Sequence, residues 1–240
     1  MRFIKQLSLL TVLTCLAVTL HDHAHAQSNR ISQDSIFSVY KQLKGRDASL
    51  LKIDEWVQQT KAAVEQKALT LDVAVKSVFI SEAEKVLKQQ WPIFTAGEFL
   101  EFTKNGNRSN FEKKYKARRD MLKKLVIAEL LEKKGRFLPM IADGIWMICD
   151  ESTWALPATM DVAQRGFGLP EVYNPVVDLC VAQTAILLGW TKFFFHKELD
   201  QLNAKIIPRI NYELEVRAVI PYLSRNDFWW MGFTGRKPNN

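Results

Sequence analysis

Histidine and cysteine are scarce in this 240-residue chain, with four and three residues respectively. The scarcity deepens once the first segment is recognised. Arg2 and Lys5 precede an apolar run from Leu7 to Leu20, and Ala24-His25-Ala26 forms a small-x-small cleavage pattern before Gln27. Residues 1–26 therefore read as a signal peptide, and the mature chain 27–240 as an exported, periplasmic protein. The leader takes His21, His23, His25 and Cys15 with it. Only His196 is left, so neither a metal-ligand spacing nor a histidine-based triad can be assembled. No metal and no cofactor is expected. Cys149 and Cys180 make no disulfide framework and read as buried free thiols in apolar helical stretches.

Other absences narrow the class. No apolar run after the leader is long enough to span a membrane. Alternating apolar–polar runs and hairpin signals are missing, which excludes a β architecture. Removing Arg2, Lys5 and Asp22 with the leader takes the formal charge from +7 to +6. That excess suits an acidic partner, although pairs such as Lys113-Lys114 and Lys123-Lys124 also read as solvated helix faces. Basic–aromatic interleaving is absent, and nucleic acid is not expected as a partner of an exported chain.

What is present is helical punctuation. Helices are expected over Asp34–Lys44, from Asp47 to Lys67, and from Thr70 to the Trp91-Pro92 stop. Capping boxes at Thr95/Glu98 and Ser109/Glu112 open two more, the second running to a stop at Gly135 with Phe111, Tyr115, Arg118, Leu122, Leu125 and Glu129 on one stripe. Pro139 begins the next helix. Gly166, Gly168 and Pro170 mark a loop, and Asn174-Pro175 is expected to start a helix to Phe195 that is apolar nearly all round. Pro208 opens a last amphipathic helix that Pro221 ends. The fold class is all-α, built of helix pairs in one domain.

Chemistry concentrates in two places. Trp146 to Pro157 sets Asp150, Glu151, Ser152 and Thr153 beside Trp154. Asp150 and Glu151 are sequence neighbours and would point about 100° apart on a helix, so they form no ready acid–base pair. Glu151 and Trp154, three residues apart, would share a helix face, where a carboxylate could hold a sugar hydroxyl and the indole stack on its ring. The alternative is a helix end in which Glu151 caps or salt-bridges and Trp154 fills the core. The second concentration is Asn226, Asp227, Trp229, Trp230, Asn239 and Asn240, where indoles fall outside the helical period.

Several blocks resemble the heparinase II/III-like polysaccharide lyases, in the form found in Bacteroidetes. They are Arg118-Arg119 with Leu125–Glu129 and Lys134–Phe137, Ile145-Trp146 running into Cys149–Pro157, Val177–Leu179 with Gln183–Ala185, and Asp227–Gly232. The resemblance covers essentially the mature chain. It implies an incomplete (α/α) toroid, normally followed by a β-sandwich, and β-elimination on uronate-containing polysaccharides such as heparan sulfate or alginate. In the family an asparagine or histidine neutralises the uronate carboxylate, while histidine and tyrosine move protons. Asn240 matches the neutralising asparagine. Glu151, Trp154, Trp229, Trp230 and Asn239 are the expected substrate-binding residues. The chain stops at Asn240, short of the histidine, the tyrosine and the sandwich, so it is expected to be the amino-terminal part of a larger lyase, with its carboxy-terminal portion as a partner. The alternative is a non-catalytic glycan-binding module or an inactive remnant.

Overall fold

A computed structural model describes residues 53–163 and 165–233, with Ser38, Lys41 and Gln42 besides. The leader, most of the expected helix 34–44, Asn239 and Asn240 lie outside the described residues. Within them every regular element is helical.

Helix α1 spans Ile53–Thr70 and α2 spans Val73–Val86. Thr70 closes α1, its hydroxyl donating back to the Gln66 carbonyl, and Asp72 starts α2 instead by accepting from the Ala74 and Val75 amides at 2.8 and 3.3 Å. A carboxylate two residues on is the better cap for the free amides of the first turn. Helix α3, Ala96–Asn105, has the expected capping box, Thr95 Oγ1 with the Glu98 amide and Glu98 Oε2 with the Thr95 amide. Gly106 ends it at φ +77°, a conformation that only glycine adopts without cost.

Helix α4, Ser109–Glu132, packs against α1, α2, α3 and two later helices, and so forms the axis of the molecule. The expected stripe is buried along its whole length, Arg118 and Glu129 included. Its ends differ from expectation. Ser109 lies inside the helix, the Asn107 side chain accepts from its amide, and Glu112 pairs with Arg108 and Lys116 rather than closing a box. The stop is Lys133, at φ +54°, not Gly135. Glu129 explains the tight turn that follows: its buried carboxylate accepts from the Gly135 amide at 2.6 Å and the Phe137 amide at 3.1 Å.

Helix α5 spans Leu138–Cys149 with Pro139 in its first turn, and buries Ile141, Ile145, Ile148 and Cys149. Gly144 faces the Trp91 indole so closely that a Cβ would come within 2.5 Å of the ring. A 3-10 turn over Pro157–Ala163 follows. Helix α6, Leu179–Leu202, starts at Asp178 rather than at Asn174-Pro175. Asp178 Oδ1 accepts from the Val181 amide at 2.8 Å, whereas the Asn174 side chain engages Glu171 and Arg225. Nor is α6 enclosed all round. Val181, Thr184, Leu188, Thr191, Phe195 and Leu199 form one buried stripe, while Leu179 and Ile186 are exposed.

Helix α7, Ile206–Leu214, runs through a π turn over Glu215–Val219 into α8, Ile220–Ser224. Pro221 does not end it. A proline lacks the N–H that an α-helix needs, and the wider π turn just ahead, closed by the Ile220 amide on the Glu215 carbonyl, lets the chain pass. The core gathers where α4, α5, α6 and α7 meet.

Candidate functional site

The stretch after α5 is where polar groups converge. Helix α5 ends at Cys149 with Asp150 as its cap, so Glu151 to Leu156 are not helical and Glu151 and Trp154 share no helix face. Four arginines, two from α4, one from α7 and one from the π turn, hold this stretch. Arg118 Nη1 donates to Glu151 Oε1 at 2.8 Å and to the Met147 carbonyl at 3.0 Å. Arg119 forks onto both Glu151 oxygens at 2.7 and 2.6 Å. From α7, Arg209 Nη2 donates to the Cys149 carbonyl and to Asp150, both at 2.9 Å. Arg217, in the π turn, reaches the Cys149 carbonyl at 3.1 Å and also the Glu151 carbonyl. Glu213 joins the last two, accepting from Arg209 Nε at 2.8 Å and from Arg217 Nε. Cations at a helix carboxy terminus satisfy its free carbonyls and its dipole.

Glu151 is, with Glu213, a buried anion of this cluster, its side chain 2 % exposed. Both oxygens are engaged by guanidinium groups, so it offers no free carboxylate to a sugar. Burial pulls the Arg118 guanidinium below its ordinary value, and its ion pair with Glu151 opposes the shift. The Arg118 and Arg119 groups also lie over the Phe94 and Tyr115 rings, at 3.8 and 3.4 Å from the centroids. The Tyr115 hydroxyl donates to the Trp154 carbonyl at 2.9 Å and stands 2.9 Å from the Thr184 hydroxyl. Burial raises its pKa above the ordinary phenol value, which keeps it neutral.

Trp154 requires a correction. Its side chain is fully enclosed, and the indole N–H donates to the Ile148 carbonyl at 2.9 Å. A ring in that position packs the core beneath the loop and has no face open to a sugar. Trp230 and Trp229 are half-buried and pack against the core. The Trp230 N–H donates to the Val177 carbonyl at 2.9 Å, and its ring lies parallel to Phe228 and Tyr222. The 3-10 turn they occupy, Trp229–Met231, touches the Pro157–Ala163 turn.

Two hollows open on either side of Ser152-Thr153. One, of about 240 Å³, lies among Phe94, Thr95, Phe99, Phe111 and Leu169 and includes Glu151 in its wall. The other, of about 320 Å³, is bounded by Tyr173, Pro175, Tyr212, Glu213 and Arg217, and the enclosed Trp154 also borders it. Trp229 and Trp230 line neither. Tyr173, Tyr212, Arg209 and Arg217 were not singled out from the sequence. The four-residue spacing of Arg209, Glu213 and Arg217 was the available signal for the last two. Tyr173 and Tyr212 carried none, because each comes from a different element.

Among the described residues no group of three or more histidine, cysteine or carboxylate side chains could hold a metal ion, and no helix is long and apolar enough to cross a membrane. Cys149 and Cys180 are free thiols. No family model and no curated protein matches the chain.

Proposed function

We propose that this chain is the amino-terminal helical portion of an exported, periplasmic polysaccharide lyase, whose helix pairs belong to an incomplete (α/α) toroid. Its substrate is a uronate-containing polysaccharide of the heparan sulfate or alginate kind. In the reaction a base removes the proton beside the uronate carboxylate, the bond to the leaving sugar oxygen breaks, that oxygen gains a proton, and a ring double bond forms. Asn240 is the candidate neutraliser of the carboxylate, with Asn239 beside it. Glu151 and Trp154 serve here by shaping the Ser152-Thr153 loop, and Trp229 and Trp230 by bracing the chain behind it.

One observation carries the reading. The block Cys149–Pro157, one of those that carry the family resemblance, is also the stretch that four arginines hold in place between two hollows. A loop fixed from beneath, with Ser152 exposed and Thr153 half-buried, is suited to binding a polar chain. The test is incubation of the protein, as its gene encodes it, with heparan sulfate and with alginate, following the ultraviolet absorbance of unsaturated uronate ends. A rise on either polymer is expected, and no rise on any uronate polymer would contradict lyase activity. A second reading, glycan binding without catalysis, is favoured by the engagement of both Glu151 oxygens. Binding without a rise in absorbance would select it.

A further inference from the structure

Trp154 borders the hollow of about 320 Å³ but is enclosed, so the open aromatic surface there comes from other side chains. Tyr173 is 87 % exposed and Tyr212 61 % exposed, and both line this hollow. Tyrosine combines a flat apolar face with a polar tip, the combination a pyranose ring needs. Ser152 and Thr153 bring hydroxyls to the same wall.

Arg217 adds a fixed donor. Its Nε is held by Glu213 and its two Nη atoms by the Glu151 and Cys149 carbonyls. A guanidinium has five N–H groups, so two are still uncommitted on a side chain that cannot swing away. Across the seven charged residues of the cluster, four arginines face Asp150, Glu151 and Glu213, a single positive excess. The volume sits at the small end of ligand sites and suits one or two sugar rings rather than a long stretch of chain.

We infer that the hollow between Tyr173 and Tyr212 is a sugar-ring subsite for the acidic polysaccharide, with Arg217 donating to the ring substituents, carboxylate included. This rests on the polysaccharide reading above but assigns it residues that neither the sequence motifs nor that reading named. Both tyrosines are exposed, so removing either ring leaves the core intact.

The experiment is calorimetric titration of the protein with a tetrasaccharide of alternating glucuronate and N-acetylglucosamine, for the parent and for Tyr173→Ala, Tyr212→Ala, Tyr173→Phe and Tyr212→Phe. Phe79→Ala, on the exposed side of α2, is the control, and melting curves verify folding. Each alanine variant is expected to bind about tenfold more weakly, while the phenylalanine variants keep most of the affinity and Phe79→Ala keeps all of it. Parent-like binding by both alanine variants would overturn the subsite and leave polysaccharide recognition standing. Absence of binding by the parent, with this tetrasaccharide and with a mannuronate tetrasaccharide alike, would overturn both.

Discussion

Glu151 sets the energetic character of the region at the scale of single residues. Two guanidinium groups meet one carboxylate, with all three side chains at least nine-tenths buried. Such a cluster costs desolvation to form and is costly to break, because removing one partner leaves uncompensated charge inside. Glu151→Gln is therefore expected to lower stability by about 3–5 kcal/mol, measured by urea unfolding. Ser152→Ala, on an exposed neighbour, should stay within about 0.5 kcal/mol. Cys149 offers a pH readout of the same packing. Burial, with Glu213 nearby, pushes its thiol up to about 12. The proton is held more tightly in the folded chain, so stability is intact below the ordinary thiol value of 9.0 and is lost as pH rises from there towards about 12. Unfolding free energies should fall with a slope of up to about 1.4 kcal/mol per pH unit from this group. Cys149→Ala should flatten that part of the curve, and iodoacetamide should leave Cys149 unlabelled in the native protein at pH 8.

Elements here are placed by side chains that cap across the fold as well as along the chain. Asp178 caps α6 and, through its second oxygen, accepts from the Leu156 amide at 3.3 Å and from the Thr159 hydroxyl. Asp178→Ala thus frees the helix start and the loop together. A loss at the upper end of a cap's usual range, about 2 kcal/mol, is expected, and a thermal melt measures it. Asp178 also shows how far the sequence could be read. Helix existence was legible for α1 to α7 because apolar spacing and punctuation agree, as at Thr95/Glu98 and Pro139, but not for the Pro157–Ala163 turn or for α8 past Pro221. Several boundaries were not legible, because Asp178, Asp72 and Lys133 compete with equally plausible neighbours and the outcome depends on distant partners such as Leu156. Pro221 misled for a similar reason: a π turn absorbed it, and no local residue announces such a turn. At the site, the loop of Glu151 to Thr153 was legible as a polar concentration. Glu151 and Trp154 could be placed inside only by knowing that Arg118, Arg119 and Tyr115 reach it from thirty or more residues away in sequence.

The molecule as a whole is a set of helices around α4, with the α5 terminus held at its polar centre and an apolar core between α4, α5, α6 and α7. The chain carries a formal net charge of +7, and the Cys149–Pro157 stretch opens towards two hollows. Under the proposed function, that positive excess attracts a polyanionic sugar chain, an attraction that salt screens. Removing charge at the surface should shift the salt dependence, while removing ring surface should shift affinity at all salt concentrations. The most direct measurement is affinity electrophoresis of the native protein through gels containing heparan sulfate, alginate or neutral dextran. Retardation by at least one uronate polymer, weakened by added salt, and none by dextran is the expected result. Equal mobility in all three gels would contradict recognition of acidic polysaccharide.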